Sequence, residues 1–155
     1  MAPEQMAGGA AAAVVLLLGT VLALALRRSS GRFRAARGPG AVSGPVEGTG
    51  PEAPRLTAEE VGAELGERAT LVQFSSAFCQ PCRATRRVLA EVGAMVEGVA
   101  HVEIDTESNL DLVRRLNILR TPTVLVLDSH GVVSTRASGQ PRRADVIAAL
   151  GRAIG

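Results

Sequence analysis

Thr70-Leu-Val-Gln-Phe-Ser-Ser-Ala-Phe-Cys79-Gln-Pro-Cys82-Arg83 contains the only two cysteines of the 155-residue chain, three positions apart. The run Thr70–Ser75 reads as a buried strand, and Arg83 to Val96 reads as a helix. A C-x-x-C pair between a strand and a helix puts one sulfur at the helix N-terminus and the other one turn inside. There the two can form and break a disulfide. A structural zinc site needs two further ligands, and the two histidines, His101 and His130, do not form a second pair at finger-like spacing. No metal is expected. Covalent haem attachment needs His after the second Cys, where Arg83 stands. A permanent staple closing so short a loop removes little chain entropy. Redox chemistry is the reading these two residues favour.

Outward from this stretch the chain divides into four. Met1 to Met6 is a short tail without a basic side chain. Ala7 to Leu26 is twenty residues without a charge, and it is what lifts the mean hydropathy to +0.21. As a helix it would be about 30 Å long, the thickness of a bilayer's hydrocarbon core. A cleaved signal peptide is the rival reading, with Ala23-Leu-Ala25 as a possible site; the missing basic n-region argues for a retained anchor. Residues 27–54 are rich in Gly, Pro, Ser, Ala and Arg without periodicity, and read as a flexible tether with a reach on the order of 30 Å. Residues 55–155 form the one globular domain the length permits.

All 17 basic residues are Arg. Five of them, Arg27, Arg28, Arg32, Arg34 and Arg37, follow the apolar segment, and none precedes it. The positive-inside rule then puts the domain on the cytoplasmic side of a single-pass membrane protein, with the extracytoplasmic side as the alternative. From Arg55 onward 12 Arg balance 12 Asp plus Glu. A neutral domain argues against nucleic acid as a partner.

Within the domain, Leu56-Thr57-Ala-Glu-Glu60-Val61 carries a capping box and a hydrophobic staple, predicting a helix that runs to about Glu67. Strand 70–75 and the cysteine helix follow. Val99–Ile104 reads as a strand and Asn109–Leu116 as a short helix. Thr123–Leu127 is an unbroken apolar run suited to a central strand. Ser129-His130-Gly131 turns the chain into Val132–Ala137, and a last helix spans Arg142–Ala153.

This order, with Cys79-Gln-Pro-Cys82 after the first strand, Thr121-Pro122 before the third and Ser138-Gly139 before the final helix, resembles the thioredoxin family over roughly Leu56 to Gly155. The resemblance implies an α/β fold with a central mixed sheet flanked by helices. It implies a thiol–disulfide oxidoreductase that needs no cofactor beyond the Cys79–Cys82 pair. Cys79 is the implied nucleophile and Cys82 the resolving thiol, with Phe78, Gln80, Pro81, Thr121 and Pro122 around them. The residue matching Pro122 is cis in the family and lies against the cysteines; the one matching Gly139 lies beside the substrate groove. A thiol pKa near thioredoxin's own value of about 7, a borrowed figure, makes Cys79 about half thiolate at neutral pH. Brønsted attenuation leaves only about a threefold gain in attack, so the shift matters more for leaving-group ability and redox poise.

Four departures stand out. Phe78 replaces the Trp common before the first cysteine. Gln73 replaces the buried Asp six residues before Cys79 and cannot take a proton. His101 stands where the accompanying Lys aligns, making it a candidate proton relay with Gln73, against the alternative of an inert strand histidine. Thr121 stands where many thioredoxins have Ile. With no nucleotide fingerprint in the chain, electrons must come from another protein, such as a thioredoxin reductase, and go to protein disulfides. Three functions remain: a tethered reductase of protein disulfides, an extracytoplasmic reductant or oxidant in cytochrome maturation or exported-protein folding, and a non-catalytic thioredoxin-fold binding module.

Overall fold

A computed structural model of the chain describes residues 14–25, the backbone of 33–35, and 53–155. The expected N-terminal tail, both ends of the apolar segment and most of the expected tether lie outside the described residues. Residues 14–25 form a helix, α1. Among the described residues no helix is long and apolar enough to cross a membrane. Chain contacts separate residues 1–30 from a second unit, Gly31–Gly155.

The second unit is built on one five-stranded sheet with the order β1-β5-β4-β2-β3. Its strands are β1 (Phe33–Ala35), β2 (Ala69–Ser75), β3 (Val99–Asp105), β4 (Thr123–Asp128) and β5 (Val133–Ser138). β3 pairs parallel to β2, and every other pairing is antiparallel, so the sheet is mixed as expected. The short strand β1 falls in the stretch read as a tether. It aligns Phe33 with Ala137 and Ala35 with Thr135, at the edge of β5. Nothing in its composition announces this; pairing with a strand already in place supplies what local propensity does not.

All seven residues of β2 are buried, and the strand divides the core between two faces. Val72 and Phe74 join Leu56, Val61, Ile104, Leu116, Ile118, Leu125, Leu127 and Val133 on one side. Ala69 and Leu71 join Leu89, Val92, Val124, Val126, Val146, Ala149 and Leu150 on the other. This second layer lies under α3 (Gln80–Ala94) and α5 (Arg143–Ile154), whose apolar positions recur at helical spacing. Burying each large aliphatic or aromatic side chain contributes about 1.5–3 kcal/mol before conformational entropy is counted.

The capping box forms: the Thr57 hydroxyl accepts from Glu60 N–H, and the Glu60 carboxylate accepts from Thr57 N–H at 2.9 Å. The helix it starts, α2 (Ala58–Val61), is much shorter than the sequence suggests. Gly62 adopts a left-handed φ of 71° and ends it, its N–H closing onto Glu59 and Ala58 oxygens. The remaining helix, α4 (Leu110–Arg115), ends at Leu116, and the Arg136 guanidinium on β5 donates to the carbonyls of Leu116 and Asn117 at 2.7 and 2.6 Å. That cap holds the chain leading to Thr121-Pro122, and no local pattern around Arg136 signals it.

The hairpin between β4 and β5 is fastened by Asp128, whose carboxylate accepts from His130 and Val132 N–H. The entering segment crosses the hairpin here, with Leu56 N–H bonded to Gly131 C=O at 2.9 Å. Gly131 sits at φ 77°, and a Cβ on it would run into the backbone oxygen of Leu56. Gly131→Ala therefore combines a left-handed penalty with a clash. It is expected to cost at least about 2 kcal/mol, read as a lower urea midpoint at unchanged slope.

Candidate active site

β2 ends at Ser75, and the turn Ser76–Phe78 delivers Cys79 to the N-cap of α3. Gln80 and Pro81 fill the first helical positions, where proline loses no needed N–H. Cys79 and Cys82 are joined as a disulfide with Cα atoms 5.2 Å apart. The Cys79 sulfur also accepts the Cys82 backbone N–H at 3.2 Å. This is a capping interaction with sulfur as the acceptor. It strengthens as the sulfur gains charge, and the helix dipole acts in the same direction.

The two sulfurs differ in access. Cys79 is half-buried, while Cys82 is 2% exposed and faces the sheet. An incoming disulfide can reach only Cys79. Phe78 beside it is 95% exposed, an apolar ring with no intramolecular work to do.

The Thr121–Pro122 bond is cis. Thr121 is tied to the cysteine turn through its hydroxyl, 3.2 Å from that of Ser76. The Thr123 hydroxyl closes the same bend onto Arg120 C=O at 2.7 Å. Gly139 donates its N–H to Pro122 C=O at 2.7 Å, with a left-handed φ of 98°. The structure thus brings the Cys79 turn, Thr121-Pro122 and Gly139, 60 residues apart in sequence, to one end of the sheet. Leu119, 82% exposed, adds a second apolar side chain just ahead of the cis bond. Sequence reasoning did not single it out; its place two residues before Thr121-Pro122 was the available signal.

On the other flank of the cysteines lies an open depression of about 440 Å³ lined by Ser75, Cys79, Cys82, Arg83, Arg86 and Glu103, among others. Gln73 is fully buried beneath it. Its amide nitrogen donates to Cys82 C=O at 2.9 Å, to the Ser75 hydroxyl at 2.8 Å and, more weakly, to Glu103 at 3.5 Å. The Glu103 carboxylate takes a two-point ion pair from Arg86, at 2.6 and 2.8 Å. Partial burial pushes this carboxyl up, but the Arg86 and Ser75 hydrogen bonds and the nearby Arg86 and His101 charges outweigh it and leave it below the usual range. The register pairs Gln73 with Glu103, whereas His101 pairs with Leu71, one layer further from the cysteines. His101 rests against Gly93, near the far end of α3. Burial lowers its pKa despite the attraction of Glu103, with Arg86 adding to the lowering. The ionisable group within reach of Gln73 is thus Glu103. Sequence reasoning passed over Glu103 because its neighbourhood depends on strand register; the alternation His101, Glu103, Asp105 on one strand face was the signal for it. Among the described residues no group of side chains could hold a metal ion.

Because Glu103 is lowered on folding, its contribution to stability is present above the unfolded carboxyl value near 4.3 and is lost as pH falls through the folded value. Both partners are partly exposed, so solvent screening limits the effect to under about 1 kcal/mol. Denaturant titrations of Glu103→Gln should show that deficit at pH 7, shrinking toward zero below about pH 4.

The thioredoxin family model matches residues 54–152. The chain is 30% identical over 91 residues to thioredoxin of Bacillus subtilis, covering 58% of this chain and 88% of that one. It is 37% identical over 65 residues to thioredoxin domain-containing protein 2 of Mus musculus, covering 42% of this chain but only 13% of that protein. Among solved structures, chloroplastic thioredoxin z superimposes with a TM-score of 0.53 at 22% identity, over 67% of this chain and 96% of that one. The reduced thioredoxin pre-protein of Schistosoma mansoni gives 0.50 at 19%, over 57% and 82%. These two likenesses bear on the fold alone; the sequence match, laid over an accessible Cys79 and a buried Cys82, carries the chemistry. The chain belongs to the thioredoxin family and is a thiol–disulfide oxidoreductase.

Proposed function

We propose that the protein is a membrane-tethered reductase of protein disulfides, with its domain on the cytoplasmic side and an external protein dithiol, such as a thioredoxin reductase, as its electron source. The observation that carries the direction of attack is the contrast between half-buried Cys79, bonded to the Cys82 N–H, and enclosed Cys82. Cys79 thiolate attacks one sulfur of the substrate disulfide, and the other sulfur leaves as a thiolate that takes a proton from solvent. Cys82 then gives up its proton, attacks the Cys79 sulfur and releases the second substrate thiolate. The substrate has gained two electrons and two protons, and the pair is the disulfide seen here. Phe78 beside Cys79 and Leu119 ahead of the cis bond offer exposed apolar contact to a substrate.

The tether rests on the apolar segment 7–26 and the arginines that follow it. In α1 the side chains of Val14, Leu16, Leu17, Leu18, Val21 and Leu22 are all more than half exposed, so the helix is apolar all round. A helix of that kind needs lipid or protein around it. The Thr20 hydroxyl bonds back to Leu16 C=O at 2.7 Å, so it needs no partner outside the helix. The cytoplasmic side follows from the arginine asymmetry.

Each part has its own test. Cys79→Ser is expected to reduce disulfide turnover to background, while Cys82→Ser should stop at a mixed disulfide with substrate, seen as a covalent adduct on a non-reducing gel. Turnover retained without Cys79 would sink the assignment. Equilibration of the full chain with defined thiol buffers should give a potential near thioredoxin's own, about −270 mV; a value of about −120 to −180 mV would make it an oxidant or isomerase instead. A reporter active only in the cytoplasm, fused after Gly155, should be active. A dark reporter beside a working exported one would reverse the topology.

A further inference from the structure

Gln73 carries a feature that the disulfide state leaves unexplained. Its amide nitrogen faces the Cys82 carbonyl and the Glu103 carboxylate. Both of those groups only accept, so the orientation of the amide follows: turning it over would set oxygen against oxygen twice. The amide oxygen is therefore the free end, and it is fully buried without a partner. An unpaired buried acceptor of this kind costs about 1–3 kcal/mol. Nothing else in the site satisfies it. The Ser75 hydroxyl is taken by the Gln73 nitrogen and Glu103, and Arg86 is taken by Glu103.

Reduction creates a donor on the residue that the Gln73 amide already touches. The Cys82 sulfur, now bonded to Cys79, becomes a thiol with an S–H, in a residue only 2% exposed. Its own carbonyl is already held by Gln73 at 2.9 Å, which keeps the amide against this residue in particular. We propose that the amide oxygen of Gln73 is the acceptor for the Cys82 thiol, so that reduction completes a hydrogen bond the oxidised protein lacks. This rests on the oxidoreductase reading and adds a device to it. Gln73 acts as a positioning residue that favours the dithiol.

The balance is simple. A donor dithiol gives two electrons and two protons; the Cys79–Cys82 bond breaks, the donor becomes a disulfide, and one of the protons stays on Cys82 and points at Gln73. Favouring the reduced form raises the reduction potential, as it does in DsbA. It also raises the pKa of Cys82, because the bond is to the protonated form. The charged and titratable groups facing this position are Arg83 and Arg86 from α3 and Glu103 and Asp105 from β3, with His101 one layer beyond; β2 presents only the neutral Gln73 and Ser75. In the resolving step the proton has to leave into the open depression lined by Cys82, Arg86 and Glu103. Gln73 thus holds the resolving thiol protonated where a buried carboxylate would take its proton.

The test compares the full-length chain with Gln73→Met, which keeps volume and loses both polar atoms. The dithiol–disulfide constant should shift about tenfold toward the disulfide, making the potential about 30 mV more negative, and the Cys82 pKa should fall. A merely structural role would lower stability and leave the potential where it was. An unchanged potential in a folded variant overturns the proposal, as does a shift caused by Thr85→Val, which removes the unpaired buried hydroxyl on α3, with none from Gln73→Met. Should Gln73→Met not fold, infrared spectroscopy of Cys79→Ser decides: the lone Cys82 S–H stretch lies at the hydrogen-bonded position if the proposal holds and at the free-thiol position if it does not. Failure of the wild-type pair to cycle between thiol and disulfide would remove the oxidoreductase reading itself, a result distinct from any of these.

Discussion

Burial of β2 on both faces is the constraint on which the rest of the molecule depends. With every residue from Ala69 to Ser75 out of water, a slip of one position would exchange Val72 and Phe74 for Leu71 and Gln73 across the sheet. The register is therefore locked, and with it the point where the strand runs out. That point is Ser75, and the turn from Ser76 to Phe78 has only one place to put Cys79. The core that encloses Cys82 holds Cys79 at its edge.

A polar residue in such a strand is costly unless it is paired, and Gln73 is paired on one side only. Its nitrogen knits β2 to Cys82 and Glu103, so the cost is offset at the spot where α3 meets the sheet. The unpaired oxygen is left for a donor that exists only in the reduced state. Charge is arranged with similar economy. The Arg86–Glu103 pair neutralises itself at the edge of the depression, leaving the Cys79 sulfur to be governed by the Cys82 N–H and the start of α3.

Much of this was legible in the sequence, for identifiable reasons. The capping box at Thr57 and Glu60 and the apolar run Thr123–Leu127 are local signals, and local signals survive translation into structure. The C-x-x-C was readable because two cysteines at that spacing have few other uses. The length of α2 was misjudged because hydrophobic spacing continued to Leu65 while Gly62, with its access to the left-handed region, had already ended the helix. β1 was missed because a three-residue edge strand owes its existence to β5 rather than to itself. Arg136 was missed for the same reason: it gains its role from carbonyls some twenty positions away, at Leu116 and Asn117.

The division between the two kinds of information follows the range of the forces involved. Periodicity, caps and cysteine spacing act within a few residues, so the chain by itself determined the order of the elements from Ala58 onward, the fold family and the identity of the reactive pair. Strand register and helix placement act between residues tens of positions apart, and only they decided which side chains surround that pair. Thus His101, aligned by sequence with a proton-relay position, sits a layer away beside Gly93, while Glu103, opposite Gln73 in the register, stands at the cysteines. A two-residue step along β3 is about 6.6 Å, more than a hydrogen bond can span, and only the folded sheet sets where that step falls.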